Sequence, residues 1–324
     1  MKKEYPELKV IPTRWVEVDK AEVGQEPVMK SRIVVRGDLE DASRMRTDSP
    51  TCSQLMLSTV LTMAACRDVD LWAGDISAAF LQGSAMDRIL VLKMPKGLPE
   101  EDQGEYYVVS TTVYGTKDGP RGWYKNLHTT TMKVGLRPVP HEQAAFVLND
   151  ENGGIAGLAI VHVDDILWTG GKLMEEKMQE IINIYKFGKV EKNDFKYCGR
   201  QIVKDSTGVH VTCPSLKDRV KPIYMSTAER KNKHGAVTES YRLQLRSVID
   251  SLAWLARVCR PDLAYSVNYL QSRVSQATYG DVAFANKVIA IARASKNVGL
   301  HYPLKAFDFD KAAIVGLQDA SFAN

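Results

Sequence analysis

The chain has 324 residues, 44% apolar and 25% charged, which is enough to bury a sizeable core and too apolar for a disordered segment. Its formal net charge is only +4, and its five cysteines are scattered and form no CxxC pair, which argues against a disulfide framework and a zinc cluster. No apolar run reaches the roughly 18 residues of a membrane span and no signal peptide opens the chain, so a soluble cytosolic or nuclear protein without membrane partners is expected.

In chain order, residues 28 to 37 alternate as a strand carrying Lys30, Arg32 and Arg36 on one face. Residues 55 to 66 have helical composition, and the chain then turns into a short apolar strand ending near Asp75. Pro120 suits the first turn of a helix that runs through Trp123 and Leu127 to a stop near Gly135. Residues 155 to 163 and 166 to 169 read as two strands closed by Gly170-Gly171, the first rich in the Ile, Val and Leu of a central strand. Leu173, Met174, Met178, Ile181, Ile182 and Tyr185 repeat at three and four, giving a helix that covers the sheet and that Gly188 ends. Further helices are expected at 241 to 258, 262 to 274 and 279 to 298, and a last strand at 312 to 317.

The chemistry concentrates at Asp164-Asp165, set between the apolar runs Ala159 to Val163 and Ile166 to Trp168. A carboxylate in such surroundings is costly without a partner, so the pair is either a divalent-metal site or a tight hairpin turn. Asp75 occupies a matching position at the end of an apolar strand, and three converging acids suit two magnesium ions when substrate phosphates complete the shell. Phe80, five residues on, is either a floor beneath a sugar or ordinary core. Residues 215 to 260 hold ten Lys/Arg against four acids, a block that either holds a phosphate backbone or is a solvated surface. There is no HxxxH, no serine elbow and no GxxxxGK[ST], which disfavours zinc hydrolases, serine hydrolases and P-loop ATPases.

Five segments in register resemble the reverse transcriptase of copia-type LTR retrotransposons. Lys30 to Gly37 resembles KARLVARG, Asp75 to Gly83 resembles DVKNAFLHG, and Val113 to Trp123 resembles VYGLKQAPRAW. His162 to Asp165 resembles YVDD, and Arg260 to Tyr265 resembles RPDIAY. The resemblance implies an α+β right-hand polymerase with fingers, a palm of antiparallel sheet with helices on one face, and a thumb, followed by the first strand of an incomplete RNase H-like domain. It implies partial fingers and the start of the palm over 1–74, palm with a finger insertion and primer grip over 75–200, a helical basic thumb or connection over 201–300, and the RNase H start over 301–324.

The same resemblance implies an RNA-directed DNA polymerase extending a primer by two-metal nucleotidyl transfer. Asp75, Asp164 and Asp165 would be its catalytic metal ligands for two Mg2+, with Mn2+ as a substitute. Lys30, Arg32, Phe80, Lys117 and Asp118 would meet the dNTP, with Phe80 as the gate against ribonucleotides. His162, Phe195 and Gly199 would face the primer, and Lys217, Arg219 and Lys221 the nucleic-acid backbone. Implied partners are an RNA or DNA template with primer, dNTP, and element-encoded RNase H and integrase regions of a longer polyprotein. The implied location is cytoplasmic, in element-derived particles, or nuclear.

The chain departs from the family pattern at three places. His162 stands for Tyr and gives the primer side a titratable ring. Asp118 stands for Gln, a negative charge that would repel a triphosphate unless Lys117 or Arg121 offsets it. Asp319 opens a segment resembling DADWA with Ser321 in place of the second acid, so no RNase H activity is expected from these residues. The second reading is a retrotransposon-derived fragment that keeps the fold and binds nucleic acid without catalysis.

Overall fold

A computed structural model describes residues 10–19, 21, 25–41, 43, 45–83, 85–103, 105–214, 220–295 and 298–313. In chain order the elements are β1 (Val10–Asp19), β2 (Met29–Val35), α1 (Gln54–Arg67), β3 (Leu71–Ile76), β4 (Ala85–Lys93), β5 (Tyr106–Thr111) and α2 (Gly119–Lys133). They continue as β6 (Arg137–Val139), β7 (Glu142–Asn149), β8 (Ile155–His162), β9 (Asp165–Gly170), α3 (Lys172–Ile184), β10 (Phe187–Lys192), β11 (Asp194–Tyr197), β12 (Arg200–Lys204) and β13 (Gly208–Thr212). The last are α4 (Thr227–Lys231), α5 (Glu239–Val258), α6 (Ala264–Arg273), α7 (Tyr279–Ala294) and β14 (Leu300–Pro303). The fold is mixed α+β, and the chain divides into two compact units, Met1–Met56 with Gly74–Val190, and Leu57–Ala73 with Glu191–Asn324.

The first unit contains two sheets. In the smaller, of order β2-β1-β4-β5, β1 runs antiparallel to β2 and parallel to β4, and Ile11, Val35, Leu90 and Leu92 form its buried cluster. The segment after β2 touches the loop before α2 backbone to backbone. Val35 N donates to Tyr114 O at 2.8 Å, and a Cβ on Gly37 would lie 2.0 Å from Gly115 O. Only glycine fits there, and Gly115 itself has φ +91. Lys30 and Arg32 stay on β2, but the expected third member of that face does not. The strand stops at Val35, and Arg36 forks onto Asp38 at 2.9 and 2.6 Å.

The larger sheet has the order β10-β3-β9-β8-β7-β6. Gly157 to Val161 of β8 are all buried, as a strand with neighbours on both edges and a helix above it should be. That helix is α3, which buries Met174, Met178 and Ile181. A Cβ on Gly157 would lie 2.5 Å from Met174 Cγ, so the missing side chain is what lets α3 settle on β8. The Trp123 ring of α2 meets Tyr185, just past α3, edge-on at 5.2 Å. The helix ends before Tyr185 and not at Gly188, which lies within β10. Its lack of a side chain serves a different purpose: a Cβ there would stand 2.7 Å from Ser77 Oγ and 3.1 Å from Asp75 Oδ2.

The second unit has an antiparallel sheet of order β11-β12-β13-β14 and the helices α5, α6 and α7. Leu245, Leu252, Leu255, Leu270, Val282 and Ile289 are buried on these helices. Tyr197 pairs with Arg200, so β11 and β12 join through Cys198 and Gly199, both at positive φ, in the two-residue turn that suits twisted strands. Between α5 and α6, Arg260 is 1% exposed and forks onto Asp262 at 2.8 and 2.7 Å. This pair explains the Arg-Pro-Asp run: the proline starts a short 3-10 turn that brings the acid back to the arginine. Arg260 is therefore committed within the fold and drops out of the basic block of 215 to 260, and Arg242 is paired with Glu239. Lys217 and Arg219 lie outside the described residues, as do Asp319, Ser321 and all but the first two residues of the strand expected at 312 to 317.

Candidate active site

The β8–β9 hairpin closes on two residues, Val163 and Asp164, between the paired His162 and Asp165. Val163 has φ +62, a conformation that a β-branched residue adopts only when its surroundings hold it there. Those surroundings are on α2: Trp123 Nε1, on a buried side chain, donates to Val163 O at 2.7 Å. The neighbouring strand contributes too, since Ile76 N donates to Asp164 O at 2.9 Å. That bond sets the end of β3, and with it Asp75, beside the turn.

Asp75 is therefore a neighbour of the turn, and its charge is felt at both Asp164 and Asp165. Burial pushes the Asp165 carboxyl up to about 6, and the charges of Asp164 and then Asp75 push the same way. The Asp164 carboxyl is also raised, first by burial and further by Asp75, while Arg32 and His162 oppose the rise. Carboxylates gathered in this way, Asp75 exposed and Asp164 and Asp165 half-buried, are the kind of oxygen donor that a hard divalent cation takes.

Around the acids, Arg32 lies 5.3 Å over the Tyr114 ring, and Tyr114 meets Phe80 edge-on at 5.1 Å. Burial raises the Tyr114 phenol, and the charges of Asp164 and Asp75 add to the rise. Phe80 sits half-buried in a short 3-10 turn, Ala79–Gln82, and the Thr112 hydroxyl donates to its carbonyl. Arg32, Tyr114, Phe80 and the three acids are thus one neighbourhood. Lys30 is exposed on β2, and His162 is exposed at the end of β8.

Asp118 behaves differently from expectation. Its carboxylate is held by Arg88, with Nε and Nη2 at 2.9 and 2.8 Å, and this holds its carboxyl below the usual range. Arg88 also reaches the buried Glu40 at 3.2 Å, and Lys117 N donates to the same Glu40 oxygen at 3.2 Å. The offsetting charge is therefore Arg88, and neither Lys117 nor Arg121, whose guanidinium pairs with Asp48 at 2.6 Å. In the second unit, Gly199 is exposed at the β11–β12 turn, but Phe195 is 2% exposed and its ring is core. Lys221 is exposed.

Sequence reasoning missed Tyr114, Glu40 and Arg88, and gave Trp123 no role at the turn. Tyr114 lies in the Val113-Tyr114-Gly115 run, and its place beside a glycine was the available signal. Arg88 and Glu40 carried none, because their pairing spans 48 residues.

Residues 3–228 match the family described as reverse transcriptase (RNA-dependent DNA polymerase). The chain belongs to the reverse transcriptase family, of the copia type. The retrovirus-related Pol polyprotein from transposon RE2 of Arabidopsis thaliana is 27% identical to this reverse transcriptase domain, over 84% of this chain and 20% of the relative. The corresponding polyprotein from transposon RE1 is 23% identical over 84% of this chain and 19% of its own length. The putative transposon Ty5-1 protein of Saccharomyces cerevisiae is 24% identical, covering 70% of this chain and 78% of itself. This reverse transcriptase domain thus spans about a fifth of the length of the two Pol polyproteins.

Proposed function

We propose that this domain is an RNA-directed DNA polymerase in which Asp75, Asp164 and Asp165 hold two divalent cations, Mg2+ or in its place Mn2+. The observation that carries the reading is that the Ile76 N to Asp164 O bond sets Asp75, at the end of β3, beside the strained turn of Asp164 and Asp165, where its charge raises both of their carboxyls. A bound pair of ions would lower the pKa of a primer 3′-hydroxyl and neutralise charge on the dNTP phosphates. The protein supplies positioning. Trp123 and Ile76 fix the turn that presents Asp164 and Asp165. Arg32, whose charge is felt at Asp164, is placed to attract the triphosphate, with Lys30 further along the same strand.

Phe80 has the Tyr114 ring behind it and Thr112 on its carbonyl, which makes a stiff wall for excluding a sugar 2′-hydroxyl. Asp118 and Lys117 shape the nucleotide side through Arg88 and Glu40. His162 and the Gly199 turn serve the primer side, and Lys221, with Lys217 and Arg219, the nucleic-acid backbone. In this reading the smaller β-sheet of the first unit is fingers, the six-stranded sheet is palm, and the helices of the second unit form thumb or connection. Template with primer is the macromolecular partner, and RNase H and integrase regions belong to the polyprotein. The test is incorporation of dTMP on poly(rA) with an oligo(dT) primer in Mg2+. Wild-type protein extends the primer and Asp164→Asn does not; equal incorporation by both would remove the reading.

A further inference from the structure

The second unit carries a recess of about 460 Å³ that the polymerase reading does not use. Tyr265, Tyr269 and Arg273 follow one another at intervals of four along α6, which places three flat side chains on one helical face. Phe284 of α7 meets Tyr269 edge-on at 5.5 Å, and the Arg273 guanidinium lies 5.5 Å over the Tyr269 ring. Lys233 and His234 complete the lining. Tyr265 is 81% exposed, and none of the hydrogen bonds among the described residues occupies its hydroxyl.

The recess is built in advance of any ligand. Gly280 N donates to Lys233 O at 2.9 Å, Tyr279 N to Gly235 O at 3.0 Å, and Val237 N to Ala277 O at 3.1 Å, which pins the basic loop to the start of α7. Asp281 is the single acid in the lining, and it is already spent. Its carboxylate accepts from Thr278 N and from Arg273 Nε, both at 2.8 Å. Lys233 enters no ion pair among the described residues and follows Arg230, Lys231 and Asn232 in the chain. The net character is aromatic faces beside uncompensated positive charge.

We propose that this recess binds single-stranded nucleic acid, with an unpaired base stacked on Tyr265 and Tyr269 and the adjoining phosphates on Lys233 and its loop. Every unpaired base offers a π-face and every linkage an anion, so one site of this kind takes any sequence. A duplex hides those faces in its stack, and the volume suits about one nucleotide at a time. This site lies within the second unit and goes beyond the polymerase reading.

The test uses the full chain with its polymerase site saturated by a blunt-ended RNA–DNA hybrid, which offers no unpaired base. A fluorescent single strand carrying 5-iodouracil is then titrated, irradiated, and its cross-link mapped by mass spectrometry. The expected result is a cross-link at Tyr265 or Tyr269, and affinity lowered about tenfold in Tyr265→Ala and again in Lys233→Glu, with primer extension unchanged in Tyr265→Ala. Tyr265 is exposed enough that its loss leaves the fold intact, which the unfolding temperature checks. Cross-links confined to other residues, or affinity unchanged in both variants, would overturn the proposal. So would equal loss for a blunt duplex, which would mark a backbone patch, or a change of oligomeric state in Tyr265→Ala, which would mark a protein interface.

Discussion

Trp123 Nε1 donates to Val163 O at 2.7 Å, and through that bond a helix begun by Gly119-Pro120 governs a turn forty residues later in the chain. The turn needs governing, because Val163 sits at φ +62, where its branched side chain is strained. Trp123→Phe keeps an aromatic ring and removes the donor, leaving a carbonyl without its partner. The expected loss is about 1–3 kcal/mol of stability, together with a fall in kcat for primer extension that exceeds any change in KM for dNTP. Denaturant unfolding and steady-state extension measure the two. A KM change alone would place Trp123 at the substrate instead of behind the turn.

Asp165 makes stability depend on pH in a defined direction. Its carboxyl is raised from an ordinary 3.8 to about 6 in the folded protein, so the folded state holds the proton more tightly than the unfolded state. The stability it contributes is fully present below about pH 4 and is lost as pH rises through about 6. In metal-free buffer, Asp165→Asn therefore raises Tm at pH 7.5 and flattens the slope between pH 4 and 7. Millimolar Mg2+ raises the wild-type Tm at pH 7.5 by more than that of the variant.

Gly188 bears on Asp75 from outside the acidic segments. A methyl group there would stand 3.1 Å from Asp75 Oδ2 and 2.7 Å from Ser77 Oγ, so Gly188→Ala presses on both side chains and is expected to shift the carboxylate by a few tenths of an ångström. Extension is expected to fall about tenfold, as when a metal ligand loses its support, and half-maximal activity to need more Mg2+. Gly171→Ala is the control, since nothing lies within 4 Å of its Cβ position. It should leave the magnesium dependence unchanged.

Ala78 has φ +51, a left-handed position where alanine is strained. The resembling family segment DVKNAFLHG carries Asn there, a residue that tolerates this conformation. Ala78→Asn is expected to raise stability by about 1 kcal/mol and to leave the position of Phe80 unchanged, read as an unchanged ratio of dNTP to rNTP incorporation.

Much of the fold was legible because local pattern and tertiary role agree. The helical run after Pro50, the helix opened by Pro120 and the β8–β9 hairpin all fall where composition places them. The strands β1, β4 to β7 and β10 to β14 were not read. Several owe their pairing to partners far away in sequence, such as the parallel Val10–Val91 register, and carry weak alternation of their own. That Asp75 lies beside Asp164 and Asp165 was legible from their matching apolar flanks. The charge balance at Asp118 was not, because proximity in sequence pointed to Lys117 and Arg121 while the fold delivers Arg88 from β4. Phe195 illustrates the converse: a residue in a segment resembling the family's primer grip has its ring in the core, and the exposed turn at Gly199 carries what surface that hairpin offers.

The central claim is that Asp75, Asp164 and Asp165 act as one metal-dependent unit. It is tested most directly by a double-mutant cycle on Mg2+-dependent primer extension, with Asp75→Asn, Asp164→Asn and the double variant. Groups that serve one step together are strongly non-additive. Each single variant is therefore expected to fall to less than about a hundredth of the wild-type rate, and the double variant to be little worse than either. Near-wild-type extension by Asp75→Asn, or losses that simply multiply in the double variant, would contradict the account.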